Sequence, residues 1–221
     1  MKEKFLIDFF DSLIIQTNNE FDLVVVNDGY LDFDKLKLKY RKLNIIELEY
    51  SNTPSKNREY GINYCIDNKY DVLIFGDSDD YFSANRVELS LKMLKENDIV
   101  VNDVSLFNKG GIYEERYMSN RLNDGSEVRF EYIKNKNIFG LSNTALKIKV
   151  LNKVSFDKSL VAIDWFLYKG LLKKRCSAIF TNKSITYYRQ YNNNTIGLNV
   201  IKGKYYLWWE KKDGELNEIN K

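Results

Sequence analysis

Three carboxylates stand close together in the chain, directly after a run of apolar residues. The apolar run is residues 72–75, and Gly76 separates it from Asp77, Asp79 and Asp80. Four apolar residues without alternation predict a strand buried on both faces, and the glycine and acids predict the loop where that strand leaves the sheet. If the backbone stays extended, Asp77 and Asp79 share one side and Asp80 turns away. Carboxylates on a short loop suit Mg²⁺ or Mn²⁺, which bind one or two carboxylates together with waters and substrate phosphates.

Other interpretations of this acidic loop compete with a metal site. The loop also fits a solvated turn before a helix that Ser83 caps. A calcium loop of the EF-hand kind is excluded, because Tyr81 and Phe82 stand where an oxygen ligand and a glycine are needed. The acidic loop alone therefore leaves a divalent-metal site and a plain turn open.

A second polar loop follows another predicted strand. Residues 21–26 are rich in valine and end in Asn27, Asp28 and Gly29. Alone, this triplet is typical of an ordinary turn, since Asn and Asp bond their own backbone and glycine adopts positive φ. Neighbouring parallel strands, however, deliver their C-terminal loops to one crevice, where open α/β sheets bind ligands. The two polar loops together therefore predict a shared ligand site.

A third candidate for a functional site is Asp164, which lies near the start of the apolar segment 163–168. An acid in this position favours the positive end of a helix, which is a structural role. Asp164 also stands beside Trp165, and apolar surroundings raise the pKa of a carboxyl group until it can serve as a general base. Both roles stay open from these residues alone.

The composition excludes several kinds of chemistry. The 221 residues contain no histidine, and the two cysteines, Cys65 and Cys176, have no paired spacing, which excludes zinc sites and histidine-based nucleophile triads. A net charge of +3 is too small to indicate nucleic-acid binding. No apolar run approaches the roughly 20 residues that span a bilayer, and the N-terminus has no signal-peptide pattern. We therefore expect a cytoplasmic protein without a nucleic-acid partner.

Alternating helices and strands position the candidate residues. The apolar spacing predicts helices at 3–16, 56–68, 84–97, 126–139 and 163–174. It predicts strands at 21–26, 43–48, 72–75, 99–107, 179–180 and 185–188, and it marks 144–148 as a short apolar segment. This alternation predicts an α/β fold, with a mostly parallel central sheet flanked by helices. Helix 56–68 carries Arg58 near its start. Because the sequence has no Gly-rich phosphate loop, phosphate binding would depend on a cation and on Arg58.

Five motifs occur along the chain in a characteristic order. They are Val24-Val25-Val26-Asn27-Asp28-Gly29, Asn57-Arg58-Glu59-Tyr60-Gly61-Ile62, Asp77-Ser78-Asp79-Asp80, Phe156-Asp157 with Ile163-Asp164-Trp165, and Tyr188-Arg189-Gln190 with Asn194-Thr195-Ile196-Gly197. Together they resemble the family 2 glycosyltransferases of the GT-A fold. The resemblance implies a nucleotide-sugar-binding half at 1–107, a smaller acceptor-side half at 108–200 and an aromatic, basic tail at 201–221.

The resemblance also implies a reaction. It is the inverting, metal-dependent transfer of a sugar from a nucleotide-diphosphate donor to an acceptor hydroxyl. A UDP-sugar is the favoured donor, and the acceptor would be a glycan or a lipid-linked molecule in bacterial cell-surface polysaccharide synthesis. The donor-binding residues that it implies are Asn27, Asp28, Arg58 and Asp77. Asp79, assisted by Asp77, would bind Mn²⁺ or Mg²⁺, and Asp164 would be the base that activates the acceptor.

Two other functions compete with an active transferase. One is a catalytically impaired member of the fold that binds a glycan or a partner without turnover. The other is a sugar nucleotidyltransferase, which normally carries a Gly- and Arg-rich nucleotide loop that this sequence does not contain.

The sequence differs from the family pattern at three places. The family begins with a buried strand and a loop that walls the nucleotide pocket, whereas this chain begins one element later. We therefore expect one edge of strand 21–26 to be unpaired, or filled by another strand or another copy of the protein, and the base to be held mainly by Asp28. Ile163 stands where an acid usually precedes the base, and Tyr191 stands where a histidine often lies near the metal.

The last segment of the chain suggests a surface contact. Tyr205-Tyr206-Leu207-Trp208-Trp209 lies between lysines, a composition that favours the interface of an anionic membrane. The competing interpretation is an element that packs its aromatic side chains onto the domain. The first interpretation predicts a protein at the inner face of the membrane, beside a lipid-linked acceptor.

Overall fold

The structure, a computed structural model, describes residues 3–158, 160 and 162–191. The chain divides into two units, residues 1–189 and residues 190–221. Every helix and strand among the described residues lies in the first unit. The helices are α1 (Glu3–Ile14), α2 (Phe33–Lys39), α3 (Pro54–Asp67), α4 (Arg86–Met93), α5 (Phe130–Ile133) and α6 (Ile163–Lys173). The strands are β1 (Asp22–Asn27), β2 (Asn44–Glu49), β3 (Val72–Ile74), β4 (Tyr81–Phe82), β5 (Ile99–Asn108), β6 (Gly111–Glu114), β7 (Thr144–Lys147) and β8 (Ala178–Arg189).

The central sheet is mixed, so the prediction of a mostly parallel sheet is wrong. Its strand order is β3-β7-β5-β8-β4, and β6 pairs with β5. β5 and β8 are parallel, whereas β7 is antiparallel to both of its neighbours and β4 is antiparallel to β8. β3 and β5 are thus parallel to each other, as alternation through α4 predicts. The error arises because β7, which comes later in the chain, lies between them in the opposite direction.

The structure differs from two further predictions, one for a helix and one for a pair of strands. The helix predicted at 126–139 is confined to α5. Before it, the backbone of Ser126 and Val128 bonds to β8, and after it Asn137 Oδ1 accepts the N–H of Phe139 at 3.0 Å, a local bond that competes with helix formation. The strands predicted at 179–180 and 185–188 are one strand, β8. Its pairing with β5 moves from Thr181 to Ile185 at one step, so residues 182–184 bulge and interrupt the apolar pattern.

α1 covers the separate parallel pair of β1 and β2. Its buried face contributes Leu6, Phe9, Phe10 and Leu13 to a cluster with Phe33, Leu36 and Tyr40, against which Leu23, Val25 and Ile45 pack. The Phe10 and Tyr40 rings stack with centroids 4.8 Å apart. Among the described strands, β1 pairs with β2 alone.

Some predicted features fall outside this description. The aromatic segment 205–209 and the motif 194–197 lie outside the described residues, and the division of the chain at residues 107 and 200 stays a prediction. Among the helices of the described part, none combines the length and the apolar character needed to cross a bilayer.

Candidate active site

The acidic loop after β3 is a tight turn. Asp80 donates its backbone N–H to the carbonyl of Asp77 at 3.0 Å, so the chain turns at Ser78 and Asp79 and does not remain extended. The turn still separates the acids as expected, because Asp80 is fully buried whereas Asp77 and Asp79 are partly exposed. Two carboxylates of the three can therefore reach a ligand.

Asp80 faces the protein interior and anchors the turn. Its Oδ1 accepts the backbone N–H of Arg189 at 2.9 Å, at the end of β8. Burial, together with the charges of Asp79 and Asp77, raises the pKa of Asp80 well above its usual range. A carboxyl group in this position holds the loop against the central sheet.

Two arginines hold the backbone of the acidic loop. Arg86, which is 3% exposed, donates Nη2 to the carbonyl of Phe75 at 2.6 Å, and burial lowers its pKa to about 9. Arg189 donates Nε to the carbonyl of Asp79 at 2.7 Å and Nη2 to Asp8 on α1 at 2.6 Å. Neither residue is predicted from the sequence to have a role in the site. Arg189 lies in one of the five motifs, while nothing in the local sequence marks Arg86.

Arg58 on α3 reaches the acidic loop from the other side. Its Nη2 lies 2.7 Å from Asp77 Oδ1, and both side chains are about one-third exposed, at 36% and 30%. The charge of Asp77 raises the pKa of Arg58, and Asp164 and Asp79 add to this effect. One guanidinium therefore lies in the field of the three carboxylates that the sequence analysis assigned to donor, metal and acceptor.

Asp164 lies in the first turn of α6, where the sequence predicted it. Its Oδ1 accepts the backbone N–H of Trp165 at 2.7 Å, and Trp165 is itself fixed by a bond from Nε1 to the carbonyl of Ile133 at 2.7 Å. Burial raises the pKa of Asp164 to about 6, while the Trp165 N–H and the charge of Arg58 oppose this rise. The carboxyl group thus has a raised pKa, which suits a general base.

The Asn27 side chain is used within its own loop. Nδ2 donates to the carbonyl of Tyr30 at 3.1 Å and to Glu47 at 2.7 Å, and Oδ1 accepts the N–H of Tyr30 at 2.8 Å. Gly29 has a φ of 82°, a left-handed conformation that glycine adopts without strain. Asn27 therefore shapes the loop that presents Asp28.

Asp28 is exposed and joined to α3. Its Oδ2 accepts Nδ2 of Asn57 at 3.0 Å, and Asn57 directly precedes Arg58, which contacts Asp77. Adjacent residues of one helix thus contact the two polar loops that the sequence analysis assigned to a single crevice. The prediction that the loops share a site is supported by this geometry.

The carboxylates of the acidic loop suit a metal ion that is bound partly by the protein and partly by a substrate. Within the described residues, no group of three or more His, Cys, Asp or Glu side chains is placed to hold a metal ion. Asp77 and Asp79 supply carboxylate oxygens, which match Mg²⁺ or Mn²⁺, and these ions commonly take one or two carboxylates and complete their shell with substrate phosphates. The residues therefore fit a cation that binds together with a diphosphate.

Gly76 makes room for the start of the acidic loop. A Cβ at this position would stand 3.0 Å from ring carbons of both Phe9 and Phe82. We expect Gly76→Ala to lower the free energy of unfolding by about 1 to 3 kcal/mol, because both rings must move. Urea denaturation measures this effect. Gly170→Ala is the matched control, since a Cβ there meets nothing within 4 Å, and equal midpoints for the two variants would contradict the prediction.

Comparison with known sequences identifies relatives of this chain. A family model described as glycosyl transferase family 2 matches residues 1–158. Glycosyltransferase GlyA of Streptococcus pneumoniae is 26% identical over 203 residues, which cover 85% of this chain and 29% of that protein. An uncharacterized glycosyltransferase of Rickettsia bellii is 31% identical over 120 residues, 52% of this chain and 16% of that protein. dTDP-rhamnosyl transferase RfbG of Shigella flexneri is 25% identical over 152 residues, 62% of this chain and 49% of that protein.

Solved structures share the fold. S. aureus TarS in complex with UDP-GlcNAc has a TM-score of 0.66 and 20% identity, and the match covers 87% of this chain and 57% of that one. GalNAc-T7 with UDP, GalNAc and Mn²⁺ has a TM-score of 0.60 and 12% identity, with 86% and 42% covered. These likenesses confirm the predicted GT-A-like α/β fold. The chain spans less than half the length of the three curated relatives. Because the family model matches residues 1–158 of 221, this chain belongs to glycosyl transferase family 2.

Proposed function

We propose that this chain transfers a sugar from a nucleoside-diphosphate donor to an acceptor hydroxyl, with inversion at the anomeric carbon. The observation that carries the proposal is the joining of the two polar loops by α3, where Asn57 contacts Asp28 and Arg58 contacts Asp77. In this arrangement Asp28 would recognise the base, and Asp77 and Asp79 would lie on the phosphate side of the same crevice. Family membership and the UDP-GlcNAc bound by TarS favour a UDP-sugar as the donor.

The donor would lie along α3. Asp28 would accept a hydrogen bond from the base, and Arg58 would lie close to the diphosphate, with its charge balanced by Asp77. Asp79, assisted by Asp77, would hold Mn²⁺ or Mg²⁺, which when bound offsets the charge of the departing nucleoside diphosphate. Asn27 would act on the donor through the shape of its loop, because both of its amide hydrogens are used within the protein.

The acceptor would be activated by Asp164. Its carboxylate would take the proton of the acceptor hydroxyl while that oxygen forms a bond to the anomeric carbon. The bond from that carbon to the diphosphate oxygen breaks on the opposite face, so the configuration inverts. The acceptor that we propose is a glycan or a lipid-linked saccharide.

The pKa of Asp164 predicts how transfer depends on pH. A general base must be ionised, and a carboxyl group with a pKa of about 6 loses its proton as the pH rises through that value. The turnover number should therefore rise through about pH 6 and level off above it. Initial rates at saturating donor, from about pH 5 to about pH 8, measure this profile. A rate that is flat over this range, or that falls as the pH rises, would contradict the role of Asp164.

A screen of donors tests the proposed function. UDP-, dTDP- and GDP-sugars are each mixed with the protein, with and without Mn²⁺, and the melting temperature is recorded. We expect a UDP-sugar to raise the melting temperature most, and to do so when Mn²⁺ is present. Stabilisation followed by no release of UDP with any glycan acceptor would favour the alternative of a binding module, and no stabilisation by any donor would overturn the proposal.

A further inference from the structure

Four buried polar side chains are joined by hydrogen bonds next to the start of the acidic loop. They come from four separate elements, α4, β5, β8 and the short turn Leu141–Asn143, and none of the four is more than 4% exposed. In the order of their bonds they are Arg86, Asn102, Thr186 and Ser142, and we call this set the polar ring. The polar ring thus connects elements that are far apart in the sequence at the place where the acidic loop begins.

The polar ring closes on the backbone on either side of Gly76. At one end, Arg86 Nη2 donates to the carbonyl of Phe75 at 2.6 Å. At the other end, Ser142 Oγ accepts the backbone N–H of Asp77 at 3.2 Å. The two peptide groups that flank Gly76 are therefore held by side chains from other elements, and these bonds define the direction in which the acidic loop leaves β3.

Three further hydrogen bonds connect these two ends. Arg86 Nε donates to Asn102 Oδ1 at 3.2 Å, and Asn102 Nδ2 donates to Thr186 Oγ1 at 3.0 Å. The Thr186 hydroxyl then donates to the carbonyl of Ser142 at 3.0 Å, so it is both an acceptor and a donor within the ring. A buried network whose members all have partners is rigid, whereas the loss of one member leaves others without a partner at a cost in free energy. The removal of one hydroxyl should therefore loosen the whole ring.

We propose that the polar ring holds the acidic loop in the conformation that binds the cation and the donor diphosphate, and that Thr186 is a positioning residue for this site. The inference rests on the proposed function, because it assigns the ring a role in the binding of Mn²⁺ together with the donor. In the hydrogen bonds between described residues, the Thr186 hydroxyl contacts Asn102 and Ser142 and no residue of the acidic loop. Groups that orient metal ligands in this indirect way typically change metal affinity by about 10- to 100-fold when they are replaced.

Thr186→Val tests the proposal, because it removes both hydrogen bonds of the hydroxyl and keeps a side chain of similar shape. Thr186→Ser keeps the hydroxyl and should preserve both bonds. Thr181→Val is the matched control, since Thr181 lies on the same strand, is equally buried at 0% exposure, and donates its hydroxyl outside the ring, to Asp124 at 2.8 Å. Ser142→Ala, which removes the acceptor of the Asp77 N–H, replaces Thr186→Val if that variant does not fold. UDP is titrated calorimetrically into each protein at a series of Mn²⁺ concentrations, and each melting temperature is recorded.

We expect Thr186→Val to weaken the Mn²⁺-dependent binding of UDP by about tenfold, and Ser142→Ala to have a similar effect. Thr186→Ser and Thr181→Val should bind UDP as the parent does, although a lost hydroxyl lowers the melting temperature of both valine variants. Parental affinity in folded Thr186→Val, or in Ser142→Ala if it takes that variant's place, would overturn this inference, as would an equal loss of affinity in Thr181→Val. Each of these results leaves the proposed function in place, whereas a parent that does not bind UDP with Mn²⁺ would overturn the proposed function itself.

Discussion

Replacing Asp164 with asparagine is expected to reduce sugar transfer by about 100- to 10,000-fold, the usual contribution of a general base. Asparagine retains an oxygen that can accept the N–H of Trp165, a bond of 2.7 Å in the parent, so the start of α6 should keep its conformation. The amide cannot take a proton from the acceptor. Because the proposed role of Asp164 concerns the acceptor, the affinity for the donor should change little.

The measurement compares turnover and donor affinity in the same preparation of Asp164→Asn. Asp34→Asn is the matched control, since Asp34 is also an acid in the first turn of a helix and its side chain is 88% exposed. The control should retain parental turnover. Transfer near the parental rate in Asp164→Asn would remove this residue from the mechanism, and a matching loss in both variants would indicate a general effect on helix starts.

Replacing Asp79 with asparagine is expected to weaken Mn²⁺-dependent donor binding by roughly 100-fold. This loss is at the upper end of the effect of replacing residues that only contact the metal ligands, because Asp79 would itself be a ligand. The substitution removes the carboxylate that completes the proposed metal site with Asp77. The backbone carbonyl of Asp79 still accepts Nε of Arg189, which lies at 2.7 Å in the parent, so the loop should keep its position. Without the cation, the remaining carboxylates would repel a diphosphate.

Thermal stabilisation by a UDP-sugar at increasing Mn²⁺ concentration measures this effect. Glu127→Gln serves as the control, because Glu127 is an exposed acid whose partner is Arg129, 2.7 Å away, and it contacts no residue of the acidic loop. Stabilisation that is the same in the parent and in Asp79→Asn, at every Mn²⁺ concentration, would exclude Asp79 as a ligand.

Local sequence patterns predict those helices and strands whose buried side chains are set by residues close together in the sequence. The spacing of Leu6, Phe9 and Leu13 predicts α1, and the valines of β1 predict a strand that ends at a polar loop. Those patterns also place Asp28 and Asp77 at strand ends, where α3 joins them. The choice between a plain turn and a shared site required five motifs in order, because each loop alone has an ordinary explanation.

The parts that the sequence does not predict depend on residues far apart in the chain. The insertion of β7 between β3 and β5 brings residues 72–74 and 144–147 together, and no local pattern marks that pairing. Arg86 resembles any helix-start arginine until its bond to the carbonyl of Phe75 is known. Asn137 lies in a polar stretch that the apolar period assigned to a helix, although its side chain bonds its own backbone.

Calorimetric titration of UDP into the protein, in the presence and in the absence of Mn²⁺, tests whether the loop of Asp28 and the loop of Asp77 and Asp79 form one nucleotide site. Asn57 and Arg58 would hold these two loops together. We expect saturable binding of UDP at one site per chain when Mn²⁺ is present, and much weaker binding when it is absent. Absence of UDP binding with Mn²⁺, or equal affinity in both conditions, would contradict it.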